Sequence, residues 1–167
     1  MSPRYDVPNA APAPLREVQL FVNSIDQEHG VEWLPQWLAD HGLEHEEGRA
    51  EELRGALRRL VQANNELPLD DRAVATFNAA AGRIRLEVDG TGALQMRSPG
   101  DPLDRIVEIT LGAMLDGTWS RLKVCRKCEW SFYDNSKNRS GSWCSMQLCG
   151  NRLKTRAYRT RRRGAAA

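Results

Sequence analysis

The sequence predicts a mainly α, α+β body carrying one small β-hairpin, followed by a compact C-terminal module organised by cysteine. Three observations predict this. Apolar residues recur at helical spacing over most of residues 15–117, the period switches to alternation once, near residues 84–96, and every cysteine lies within residues 125–149. A chain of 167 residues accommodates one medium domain and one small one. The first part is long enough to bury its own core. The last stretch is too short to do so without a metal, disulfides or a partner.

Residues 1–14 carry Pro3, Pro8, Pro12 and Pro14 among alanines and read as a disordered tail. From Leu15 a helical stripe begins, with Val18, Phe21, Val22 and Ile25, and Gly30 closes it. Asn23 and Ser24 interrupt the apolar positions, which predicts a buried polar group with a partner. The stretch 32–40 reads as a short helix with Pro35 in its first turn and Gly42 as its stop. Trp33, Trp37 and Leu38 would share one face of it, as core or interface residues. His41 and His45 lie four apart, but Gly42 between them and the absence of HExxH point to solvated residues.

Residues 47–65 form the strongest amphipathic pattern, through Leu53, Ala56, Leu57, Leu60, Val61 and Asn64. Arg54, Arg58 and Arg59 follow Glu51 and Glu52 at ion-pairing intervals and read as a solvated face. After Pro68, Asp70 and Asp71 cap a helix carrying Ala73, Val74 and Phe77 that ends at Gly82. Ile84, Leu86 and Val88 then alternate with charges, Asp89-Gly90-Thr91-Gly92 turns the chain, and Leu94 and Met96 alternate on the return. A two-stranded hairpin is not stable alone, so it should lie on the helices. Asp101 and Pro102 open a final helix with Leu103, Ile106, Val107 and Thr110 inside, closed by Gly117. Trp119 anchors the joint. The division is therefore 15–119 for the body and 120–163 for the C-terminal module, with 164–167 disordered.

That module has the spacing C-x2-C-x15-C-x4-C, through Cys125, Cys128, Cys144 and Cys149. Close cysteine pairs at this separation are the pattern of a tetrahedral, all-sulfur zinc site. One structural Zn2+ is expected, with no open coordination position for catalysis. Paired disulfides are the alternative, disfavoured in a reducing compartment. The N-terminus lacks the apolar segment of a signal peptide and no run reaches membrane-spanning length, so a cytoplasmic protein without a membrane partner is expected. Trp130, Phe132 and Tyr133 read as a miniature core around the metal, with Tyr133 and Trp143 the best candidates to stack on bases.

Charge is divided unequally. Residues 121–163 hold thirteen Lys and Arg against Glu129 and Asp134, a balance of +11, so the rest stands at −9 within a total of +2. A strongly basic segment on an acidic body points to a polyanion. Arg152, Arg156, Arg159 and Arg163 recur at intervals of 4, 3 and 4, one face of a helix leading out of the zinc site. Lys154 flanks that face, and Lys137 and Arg139 sit in a polar loop suited to phosphate. With Asn151 these are the candidate nucleic-acid contacts.

The segment from Cys125 to Arg163, with FYDNSKNRSGSWCSMQLCGNR, resembles the CGNR zinc finger, whose signature is Cys149-Gly150-Asn151-Arg152 here. The body, with its Phe21-Val22-Asn23-Ser24 start and helix–hairpin–helix order, looks like the ABATE domain that usually precedes this finger. The resemblance implies zinc at the four cysteines, DNA as the partner, and a place among bacterial stress-induced transcription regulators. The expected function is a zinc-containing, DNA-binding transcription regulator whose body senses a small-molecule effector or forms a homodimer. An RNA-binding or ribosome-associated zinc protein fits the same electrostatics. A small-molecule-binding protein or enzyme is the third alternative, with Asn23, Asp26, Trp33 and Trp37 as the candidate pocket. A non-enzyme is favoured over it, because the chain has no P-loop, no GxSxG, no HExxH and no cysteine left as a nucleophile.

Overall fold

The computed structural model describes residues 9–151. Helices α1 (Leu15–Val22), α2 (Leu34–His41), α3 (Glu47–Ala63), α4 (Asp71–Ala81) and α5 (Pro102–Leu115) build the body. Three antiparallel strand pairs join them: β1 (Ile25–Asp26) with β2 (Val31–Glu32), β3 (Arg85–Val88) with β4 (Leu94–Arg97), and β5 (Leu122–Val124) with β6 (Ser131–Tyr133). Among the described residues no helix is long and apolar enough to cross a membrane.

The core forms where the apolar stripes meet. Val18, Phe21 and Val22 of α1, Leu53, Leu57 and Val61 of α3, and Leu103, Ile106 and Val107 of α5 are buried together. Phe21 is wholly inside and its ring meets Trp37 at a centroid distance of 4.7 Å, tilted by 56°. Phe21→Ala is expected to cost about 3–5 kcal/mol, read as a fall in the chemical-denaturation midpoint. Asp70 and Asp101 cap α4 and α5, each accepting a backbone N–H at 2.9 Å. Gly42 ends α2 with a φ of 66°.

Four expectations are corrected. The first helix does not run to Gly30. It ends at Val22, because Asn23 turns its amide outward to residue 131 and Asp26 accepts from His29 N at 3.2 Å, closing a turn instead. Residues 9–14 are not loose: Ala11 is buried, and its N–H donates to Gln19 Oε1 at 2.7 Å. Arg54 and Arg58 are not a solvated face. Arg54 is buried and grips Glu32 with both guanidinium ends, at 2.5 and 2.8 Å, while Arg58 donates to Val22 O at 2.8 Å.

The hairpin is the fourth. It does form, but it reaches past the helices. Met96 rests on α5, 3.5 Å from where a Cβ on Gly112 would stand, and Ile84 packs on the body core, while Leu86, Val88 and Leu94 are 65–69 % exposed. The alternation fixed its register without fixing a cover for its apolar face. An ion-pair cluster around buried Asp104 does tie its base to the body: Asp104 accepts from Arg83 at 2.8 and 3.0 Å and also from Arg49 of α3.

Candidate metal centre and its seating on the body

Cys125 and Cys128 lie on the turn between β5 and β6. Cys125 N–H donates to Trp130 O at 2.9 Å and Glu129 N–H returns to Cys125 O at 3.0 Å, with Glu129 left-handed at φ 57°. The second pair comes from the far end of the module. Ser145 Oγ accepts from Leu148 N–H at 3.3 Å and its carbonyl accepts from Cys149 and Gly150, winding residues 146–150 into one wide helical turn. Gly150 lies against Met146 and Trp143. A Cβ there would lie 2.6 Å from Met146 Sδ and 3.2 Å from Trp143 Cδ1.

These turns bring four sulfurs together. Cys128 to Cys144 is 3.6 Å, Cys144 to Cys149 3.7 Å and Cys149 to Cys128 3.6 Å, and all four donors fall within 4.8 Å of one another. A tetrahedron with Zn–S bonds of about 2.3 Å has edges of about 3.8 Å, so the donor set fits zinc. All four cysteines are buried, walled by Trp130 and Phe132 with Trp33 and Trp143 against them. Packed this closely, the thiols oppose one another's ionisation. Hydrogen bonds from Cys128 and Cys144 push Cys125 down, those to Cys125 and Cys128 push Cys144 up, and burial drives Cys149 up to about 12. A central dication removes that conflict. When bound, zinc supplies structural cross-linking, and four thiolates leave it no open position.

The centre is built onto the body through amide side chains. In the β5–β6 pair, Cys125–Trp130 and Arg121–Asp134 hydrogen-bond inward, so Val124, Ser131, Leu122 and Tyr133 present their backbone groups outward. Most of these groups are met from the body. Asn65 takes Val124 on both sides, at 2.9 and 2.8 Å, and Asn64 donates to Leu122 O at 2.8 Å. Asn23 does the same for Ser131, at 2.8 Å each way, with Gln19 adding a bond to Ser131 O at 3.1 Å. Tyr133 N–H donates to Asn9 O at 2.8 Å. Side-chain amides thus stand where neighbouring strands would. The β6 strand faces two ways: Phe132 packs toward the cysteines and Tyr133 into the body core. Trp119 is buried in that core too, at the joint between body and finger.

The candidate pocket residues take other places. Asn23 is committed to Ser131. Asp26 has no exposure and meets His29 Nδ1 at 3.0 Å. Trp33 packs beside the cysteines, whereas Trp37 sits on the body core and stacks on His41 at 4.0 Å. Two clefts on the body are lined by other residues, including Glu51, Arg59 and Arg72 in one, and Pro14, Ile109 and Gly112 in the other. Tyr133, proposed to stack on bases, is buried and unavailable. Lys137 and Arg139 are exposed on the loop after β6. Asn151 closes the described chain, and Arg152, Lys154, Arg156, Arg159 and Arg163, with the basic helix expected of them, lie outside the described residues. Asn64, Asn65 and Gln19 carry no sequence signature of a contact with the finger. Only their position on otherwise apolar helix faces hinted at one.

A helical body with a built-on, all-cysteine zinc centre defines a zinc-finger protein. Its C-terminal part matches the CGNR zinc finger over residues 121–162. The ABATE family model, described as "Putative stress-induced transcription regulator", matches residues 18–114, more than half of the chain, and the chain belongs to that family. That description points to a regulator rather than to an enzyme. No curated protein matches the chain.

Proposed function

We propose that the chain is a DNA-binding transcription regulator, with residues 15–119 as a body that holds and aims the finger and residues 120–163 as the DNA-contacting part. The observation that carries this reading is the charge division. The zinc-stiffened finger segment is +11 by its Lys, Arg, Asp and Glu, and about +9 once four thiolates on Zn2+ are counted, while the rest of the chain is acidic. Such a body, net negative, repels the phosphate backbone and favours approach through the finger. Membership of a transcription-regulator family supports the same reading. In it, Lys137, Arg139, Asn151, Arg152, Lys154, Arg156, Arg159 and Arg163 contact the nucleic acid, chiefly its phosphates.

The double variant Arg152→Ala, Arg156→Ala is expected to bind duplex DNA more weakly. The slope of log K against log salt should flatten by about 0.9 for each phosphate that the variant no longer neutralises. Titration of the zinc-loaded chain at several salt concentrations measures both. A slope identical to wild type would remove this stretch from the contact surface. Crosslinking in cells with sequencing of bound DNA and RNA tests the partner class: recovery of structured RNA without promoter DNA would overturn the regulator reading.

A further inference from the structure

Residues 134–141 form an exposed loop with a buried hub. Asp134 is 3 % exposed, and its Oδ1 accepts from Ser136 N–H at 2.9 Å while its Oδ2 accepts from Gly141 N–H at 2.7 Å. Lys123 Nζ, also buried, reaches the same carboxylate at 3.1 Å. Gly141 passes so close that a Cβ would stand 2.7 Å from the Asp134 carboxyl. Arg121 ties the loop from outside, donating to Asp134 O at 2.9 Å and Ser136 O at 3.1 Å.

The two cations of this loop are held very differently. Arg139 is fixed at both ends. Its backbone is left-handed at φ 50°, an uncommon state for a non-glycine residue, and its carbonyl accepts from Lys123 Nζ. Its guanidinium Nη1 donates to Ser120 Oγ at 2.9 Å, and Ser120 Oγ donates in turn to Gly117 O at 2.9 Å. The rest of the guanidinium fork meets no acceptor among the described residues, although Arg139 is exposed. Lys137, also exposed, makes no side-chain bond among the described residues. A buried ion pair, a strained backbone and a serine relay therefore converge on one exposed arginine.

We propose that Arg139 is the phosphate anchor of the finger, aimed by Ser120 and by the Asp134–Lys123 pair, with Lys137 adding charge but no fixed geometry. This rests on the nucleic-acid reading above. The physical ground is preorganisation. A planar fork held in place can take two phosphate oxygens at once and loses little freedom on doing so. A lysine on a free stem is a point charge that must be ordered on binding.

The test is a titration of the zinc-loaded full chain with random-sequence duplex DNA over a range of salt. Arg139→Lys keeps the charge, so the salt slope should stay while affinity falls about tenfold. Lys137→Ala removes a charge, so it should weaken binding and flatten the salt slope by about 0.9. Ser120→Ala should weaken binding about threefold, and that loss should vanish in the Arg139→Lys background, because Ser120 acts only through the guanidinium. Zinc content and thermal midpoint serve as controls for folding. If Arg139→Lys binds like wild type while Arg152→Ala with Arg156→Ala loses affinity, Arg139 is only a strut and this proposal falls alone. If the wild-type chain binds neither duplex DNA nor RNA at low salt, the nucleic-acid reading falls and takes the proposal with it.

Discussion

Removing the metal is expected to unfold the finger while leaving the five body helices largely formed. The finger's own apolar content is small: Trp130 and Phe132 with the flanking Trp33 and Trp143 surround the four sulfurs and little else. Apolar burial on that scale does not offset the chain entropy of some thirty residues, at about 1–2 kcal/mol each. Structural zinc supplies on the order of 10 kcal/mol or more in finger peptides. Without it the sulfurs, 3.6–3.7 Å apart, return to mutual opposition over charge. The damage should spread a defined distance. Leu122, Val124 and Tyr133 belong to the body core although they sit on finger strands, so the body should lose stability without losing its helices. Chelation of the wild-type chain, and Cys149→Ser, should each abolish hydrogen-exchange protection over residues 122–133 while far-UV circular dichroism keeps most of its helical signal. Persistent protection of β5–β6 in a metal-free chain would mean that the amide frame, and not the ion, holds the finger.

What could be read in the sequence was whatever has a local signature. Cysteine spacing reports a metal site because the ligands come as close pairs on tight turns. The stripes Leu53-Leu57-Leu60 and Leu103-Ile106-Val107 report helices because their burial repeats with the helical period. The seating of the finger has no such signature. Asn23 and Ser131 are 108 residues apart, and Asn65 and Val124 are 59 apart. An asparagine on an apolar face announces only that it needs a partner. Arg54 and Arg58 misled for a related reason. Glu51 and Glu52 offered partners on the same helix, but Glu32 and the Val22 carbonyl hold the two arginines instead, with Arg54 buried. The hairpin failed in the opposite direction: alternation set its register, yet alternation is silent on whether a neighbour covers the apolar face.

Asn23→Ala is expected to destabilise the whole chain by about 2–4 kcal/mol, a large loss for one amide, and the reason is the geometry of the strand pair it serves. Ser131 belongs to a non-hydrogen-bonded pair with Val124, so its N–H and C=O both point away from β5. Asn23 Oδ1 takes the N–H and Nδ2 gives to the carbonyl, each at 2.8 Å. After truncation the carbonyl still has Gln19 at 3.1 Å, but the N–H is left buried without an acceptor. Asn23→Asp should recover only part of the loss, because a carboxylate can accept from the N–H but cannot donate to the carbonyl. Ser131→Ala supplies the contrast. Its hydroxyl is buried with no partner among the described residues, so its removal should change stability by less than about 1 kcal/mol. Denaturant titration of the zinc-loaded variants measures all three. A ligand-binding role for Asn23 would leave stability intact on truncation, so an Asn23→Ala midpoint equal to wild type would contradict the amide frame and restore the pocket reading. A large fall, with zinc content unchanged, would identify the body's hold on the finger as a backbone-to-amide contact that the metal alone does not replace.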